Sequence, residues 1–196
     1  MVTVRKRDAG FTLTEMMVVV VILSLLAALS TPLFTRDNNA RKGRDWTKIV
    51  AQLLQRARFQ AMGDRANIHV LLYRTHVDMY REQPTGTFTL LSSTPGPVAD
   101  GNKTVAIWDA RTDGTQPTAQ NSTLAAAPTV LAAPAPANDI VFTSVGSTAN
   151  TTNWRVYLRN ELLPSIHTDA SFVINVGGLT GFISTNDKVA LPEPPP

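Results

Sequence analysis

The sequence predicts an α+β protein: one long N-terminal helix packed on an antiparallel β-sheet. Three observations carry that prediction. An uncharged apolar run fills Met16 to Phe34, a helix-period stripe follows from Trp46 to Ala61, and beyond Gly63 the apolar residues fall into short strand-like runs. A helix followed only by strands has one apolar stripe to bury, and a sheet has one apolar face to cover it.

The apolar run sets the N-terminal organisation. No residue from Met16 to Thr35 is charged, and about 20 helical residues span ~30 Å, the thickness of a bilayer core. Glu15 stands at its mouth, where a buried carboxylate without a partner costs about 3 kcal/mol or more. Something must neutralise it. Pro32 withdraws a backbone donor from the carbonyl of Ala28 and predicts a kink, because helical periodicity resumes at Trp46. A break at Asp37-Asn38-Asn39 is the alternative.

The second half of the helix is amphipathic. Trp46, Ile49, Val50, Leu53, Ala57 and Ala61 form its apolar stripe, and Lys48, Gln52, Gln55 and Arg56 lie opposite. The helix should stop near Gly63-Asp64. A continuous helix from Phe11 to Met62 would be about 80 Å long.

Strand signals follow. Ile68 to Tyr73, Thr87 to Leu91 and Thr104 to Trp108 read as strands, and Val77 to Arg81 is placed to pair with the first. Pro84-Thr85-Gly86 and Pro95-Gly96-Pro97 read as turns. Later strands are expected at Ile140 to Thr143, Trp154 to Leu158, Ser171 to Val176 and Gly181 to Ser184, with Gly177-Gly178 turning before the last. Thr112 to Ala137 differs in kind: eight alanines, five threonines and four prolines occupy it, and no charge falls between Asp113 and Asp139. It predicts a mobile loop. The proline-rich tail from Pro192 to Pro196 should fray.

Composition narrows the function classes. The chain has 196 residues, 43% hydrophobic but only 7% aromatic, so one modest soluble domain behind an anchor is expected. No cysteine is present, so an exported head would be held by packing, with no disulfide or thiolate metal site. The formal charge of +3 is divided: residues 36–65 hold eight basic and three acidic side chains, whereas 111–196 hold four basic and six acidic. Such a division argues against reading the net charge as a nucleic-acid footprint. Arg36, Arg41, Lys42, Arg44 and Lys48 follow the apolar run and outnumber Arg5, Lys6 and Arg7 before it, so the positive-inside count alone favours the C-terminal side in the cytoplasm.

A basic leader ending in Gly10, then Phe11, then Glu15 four residues on at the mouth of an apolar helix, resembles the class III signal of type IV pilins and type II secretion pseudopilins. The resemblance implies cleavage by a prepilin peptidase between Gly10 and Phe11, on the cytoplasmic side, and N-methylation of Phe11. It also implies that Glu15, with Phe11, docks the subunit: the carboxylate pairs with a neighbouring subunit's amino terminus inside an apolar bundle. Leu53 to Ala61 and Ile68 to Leu72, with Ile140-Val141-Phe142, Gly146, Phe172-Val173-Ile174 and Gly181-Phe182-Ile183, resemble the head of GspH/FimT-type minor pilins and pseudopilins.

The expected organisation is therefore a leader at 1–10, a transmembrane helix at 11–35 and an amphipathic helix at 36–64. A β-rich periplasmic head at 65–196, with a flexible 112–137 loop, completes a pilin-like chain. The resemblance overrides the positive-inside count. It implies a single pass through a bacterial inner membrane with the leader in the cytoplasm, and assembly at or near the tip of a pilus or pseudopilus. Implied partners are the peptidase, other major and minor pilins or pseudopilins, the inner-membrane assembly platform and the lipid bilayer.

Two simpler readings of the N terminus stay open. One is an ordinary secretory signal cut at Ala28-Leu29-Ser30, leaving Thr31 first; the other is a plain anchor with Glu15 at the interface. A competing function is a DNA-binding minor pilin of a competence pilus, using Arg36, Arg41, Lys42, Arg44, Lys48, Arg56, Arg58 and Arg65, a set that anionic lipid headgroups near the membrane would attract equally. The slightly acidic outer half, without aromatics interleaved among basic residues, disfavours DNA. No enzyme, metal or cofactor is expected. His69 and His76 read as surface or edge histidines and His167 as a turn residue, and Asp109 to Gly114 reads as a turn without calcium-loop spacing.

Overall fold

The computed structural model describes residues 12–97, 101, 103–112, 139–164 and 170–187; within its helix, the side chains of 29–36 are left out. Gly10, Phe11, the Pro32 side chain, His167, residues 113–137 and the tail 192–196 lie outside that description, and with them the expected mobile loop and fraying. The chain forms two compact units, 1–38 and 39–196.

The first unit holds the start of helix α1, Leu13–Asp64. Every described side chain from Leu13 to Ala28 is exposed, with Leu23, Leu25 and Leu26 near 60%. Among the described residues no helix is long and apolar enough to cross a membrane. The described side chains of the run end at Ala28, short of the ~20 that a bilayer requires. The backbone is helical through Pro32 and through Asp37-Asn38-Asn39, so the helix does not break there.

In the second unit α1 continues to Asp64, and its buried face is Ala40, Gly43, Trp46, Thr47, Val50, Leu54, Ala57 and Ala61. This face keeps Trp46, Val50, Ala57 and Ala61 of the predicted stripe and is rotated slightly off Ile49 and Leu53. Ile49 is 39% exposed and Leu53 only half-buried, while Leu54 is fully enclosed. Gly43 explains the rotation, because a Cβ there would lie 2.7 Å from the Asn160 amide and 2.9 Å from the Phe172 ring. The helix backbone must approach the sheet at that point. Asn160, itself buried, donates to the carbonyl of Asn39 at 2.8 Å. The helix ends at Asp64, where the sequence predicts, and Arg65 takes the left-handed conformation (φ 51) that reverses the chain.

Eight strands follow: β1 Ile68–Leu72, β2 His76–Glu82, β3 Phe88–Pro95, β4 Val105–Arg111, β5 Asp139–Phe142, β6 Trp154–Asn160, β7 Ser171–Val176 and β8 Ile183–Asp187. All described pairings are antiparallel, and β2 pairs with β1 as its sequence predicts. The strands form two sheets, in orders β3-β2-β1-β5 and β4-β6-β7-β8, where the sequence suggested one. Alternating residues of β1 (Ile68, Val70, Leu72), β5 (Ile140, Phe142), β6 (Val156, Leu158) and β7 (Phe172, Ile174, Val176) close one core with the α1 face. The fold is α+β, with the N-terminal helix on antiparallel sheets.

Three further expectations need correction. Asp109 to Arg111 belong to β4, where the guanidinium of Arg111 pairs with the buried Asp109 carboxylate two residues away on the same face. Gly181 (φ 61) stays in the turn, so β8 starts at Ile183. His69 is 9% exposed in the middle of a sheet, since β1 has a partner on each side.

Candidate functional site

The described part of the N-terminal site is the first turn of α1. The backbone N–H of Glu15 donates to the Thr12 hydroxyl at 3.2 Å, and the Glu15 carboxylate accepts from the Thr12 N–H and hydroxyl, both at 3.0 Å. This is a reciprocal capping box: each side chain satisfies a backbone donor that the helix start leaves open. Thr12 is therefore the residue that the sequence reading missed. Its signal was present as Thr12-Leu13-Thr14-Glu15, a Thr-x-x-Glu before an apolar run. The carboxylate is thus oriented by its own chain, yet these bonds bring it no positive charge.

The basic residues singled out in α1 differ in their engagement. Lys48 and Arg56 are exposed on the helix face away from the core. Arg58 instead donates to the carbonyl of Gly146 at 3.1 Å and lies 5.9 Å over the Phe59 ring. Arg41 and Arg44 are also engaged in interactions. Arg65 terminates the helix.

The histidines are placed by the sheet. His76 stacks on Tyr73 at 4.3 Å, with Asp78 3.8 Å away. His69 lies between two carboxylates, Asp139 at 2.6 Å and Glu82 at 3.6 Å. Burial by itself pushes the His69 pKa down, but hydrogen bonding and charge from Asp139, followed by Glu82, raise it above its ordinary value. Among the described residues no three His, Cys, Asp or Glu side chains are arranged to hold a metal ion.

Comparison with known proteins gives the N-terminal segment its meaning. Residues 5–31 match the prokaryotic N-terminal methylation motif. The chain is prepilin-like at its N terminus. The matched segment spans Gly10 and Phe11, the capping box and most of the apolar run, and the motif implies membrane anchoring. Two crystal structures of the type IV minor pilin FimU from Pseudomonas aeruginosa (strain PAO1) are similar to this chain. The P21 form has 13% identity and a TM-score of 0.47, covering 80% of this chain and 93% of that one. The P65 form has 14% identity and a TM-score of 0.46, covering 73% and 91%. No curated protein matches the sequence. A methylation motif leading into a helix that packs on antiparallel sheets supports a type IV pilin subunit.

Proposed function

We propose that this chain is a structural minor pilin or pseudopilin, matured by a prepilin peptidase and built into a type IV pilus or type II secretion pseudopilus, at the tip where it primes assembly. The methylation motif carries this reading. Cleavage between Gly10 and Phe11 releases the leader 1–10, and Phe11 becomes the methylated first residue. Residues 11–35 hold the chain in the inner membrane, with the leader in the cytoplasm. Residues 36–64 continue into the periplasmic head, 65–196. Pro32 marks the part of the helix that can extend on assembly. The role is structural, not enzymatic. The deciding measurement is the mass of the membrane-extracted N terminus: N-methylated Phe11 is expected, and an intact Met1 or a start at Thr31 would overturn the proposal.

Glu15 is the docking residue in this reading. Its carboxylate is fixed by Thr12, and in an apolar bundle a neighbouring subunit's amino terminus supplies the missing charge. Glu15→Ala should be cleaved normally yet be absent from sheared filaments. Glu15→Gln separates the two contributions, because glutamine completes a capping box without a charge. Its absence from filaments would show that charge is what assembly needs, whereas incorporation equal to wild type would reduce Glu15 to a helix cap.

A further inference from the structure

His69 is a buried titratable residue to which pilus assembly assigns no role. It occupies β1, an inner strand of a four-stranded sheet, with its side chain on the sheet face opposite the core positions Ile68 and Val70. Directly across from it are Tyr80 on β2 and Val141 on β5. Asp139 and Glu82 reach it diagonally, one from each side, and the Phe88 ring of β3 meets it edge-on at 5.0 Å. The other titratable groups on this face are Asp78, His76, Tyr80 and Tyr73. Arg81 is directed elsewhere, 3.4 Å from Asp64.

The two ring nitrogens are not equivalent. Nδ1 is in hydrogen-bond contact with Asp139 at 2.6 Å, which either the neutral or the charged ring can maintain by donating. Nε2 is buried and has no hydrogen-bond partner among the described residues, and it faces the Glu82 carboxylate at 3.6 Å. A proton on Nε2 makes that contact an ion pair; without it a lone pair faces an anion. Glu82 in turn is held by Asn67, whose amide donates to it at 2.7 Å and whose carbonyl accepts its N–H at 3.0 Å.

We propose that His69 is a proton-operated clasp: charged, it binds β5 through Asp139 and β2 through Glu82 at once, and neutral, it keeps Asp139 and releases Glu82. The raised pKa of His69 agrees in sign. A group raised on folding contributes stability that is fully present below its ordinary value, 6.5, and lost as pH rises through the folded value. The clasp therefore closes on acidification and opens as pH rises through the folded value.

The test is an NMR titration of ring-labelled histidine in the full chain in detergent micelles, with amide exchange measured alongside and corrected for the intrinsic effect of pH. His69 should titrate above 6.5, and the protection of the Glu82 amide should fall across the same midpoint. Glu82→Gln should move that midpoint down, since an amide brings no anion to the ring. His69→Asn, which keeps a donor for Asp139 but cannot be charged, should remove the step in protection. A midpoint at or below 6.5, an unmoved midpoint in Glu82→Gln, or an unchanged step in His69→Asn would each overturn the clasp.

Discussion

A Gly10→Val chain should accumulate at its full, unprocessed length, with no methylated Phe11 and no incorporation into filaments. Processing at this bond requires an enzyme's backbone and catalytic groups to close on the residue before the cut, and glycine presents no Cβ to hold them away. Valine branches at that atom and stiffens the backbone towards extended geometry. The loss should therefore be close to complete, visible as one slower band on a gel and as an intact N terminus by mass. The neighbouring helix should be untouched, because its cap is formed by Thr12 and Glu15 downstream of the substitution. Normal maturation of this variant would refute cleavage after Gly10 and return the ordinary secretory signal to consideration.

The prepilin-like motif was legible because its information is local. The glycine, the aromatic residue, the carboxylate and the apolar run sit within one short segment, and the Thr-x-x-Glu cap could have been read from spacing as well. The change of period after Gly63 similarly revealed a helix followed by strands. Where two registers were equally apolar, the sequence could not choose. Ile49 and Val50 are adjacent, as are Leu53 and Leu54, so either member of each pair satisfies a helical stripe. Contact between Gly43 and the distant Asn160 and Phe172 selects the second member of each.

Long-range pairing hid the rest. His69, Glu82 and Asp139 come together only when β1 receives β2 on one edge and β5 on the other, so none of the three announces a cluster in sequence. Asp109 and Arg111 fall in a segment, Asp109 to Gly114, whose two acids and glycine without calcium-loop spacing point to a turn. In a strand their spacing of two places both on one face, and the pair removes the cost that normally excludes a lone carboxylate from a sheet interior. The division into two sheets has the same origin, since alternation along a strand does not specify which neighbour it joins.

Gly178→Ala should produce a large loss of stability for the addition of a single methyl group to the head. A Cβ at this position would lie 1.9 Å from the carbonyl oxygen of Thr151, 2.3 Å from its carbon and 2.5 Å from that of Thr152, all of them backbone atoms. Backbone cannot rotate aside as a flexible side chain can. Gly178 also joins the two turns by hydrogen bonds, its N–H donating to Asn153 at 2.7 Å and its carbonyl accepting from the Thr148 N–H at 2.9 Å. The opposing segment has little freedom, because Asn150 and Thr151 already hold left-handed conformations at φ 58 and 52. Overpacking costs about 1–3 kcal/mol, and the rigid surroundings place this case near the upper end. For a chain of this size that corresponds to a fall of roughly 6–12 °C in melting temperature. Near-ultraviolet circular dichroism would follow it through Trp46, Trp108 and Trp154 without interference from the apolar N-terminal run, which has no tryptophan or tyrosine. Gly63→Ala is the control, since nothing lies within 4 Å of its Cβ and it sits in the last turn of α1. Alanine there should be neutral or stabilising by up to about 1 kcal/mol. Equal melting of the two variants would mean that the loop around Thr151 yields freely, and the close approach at Gly178 would then not be what holds these turns together.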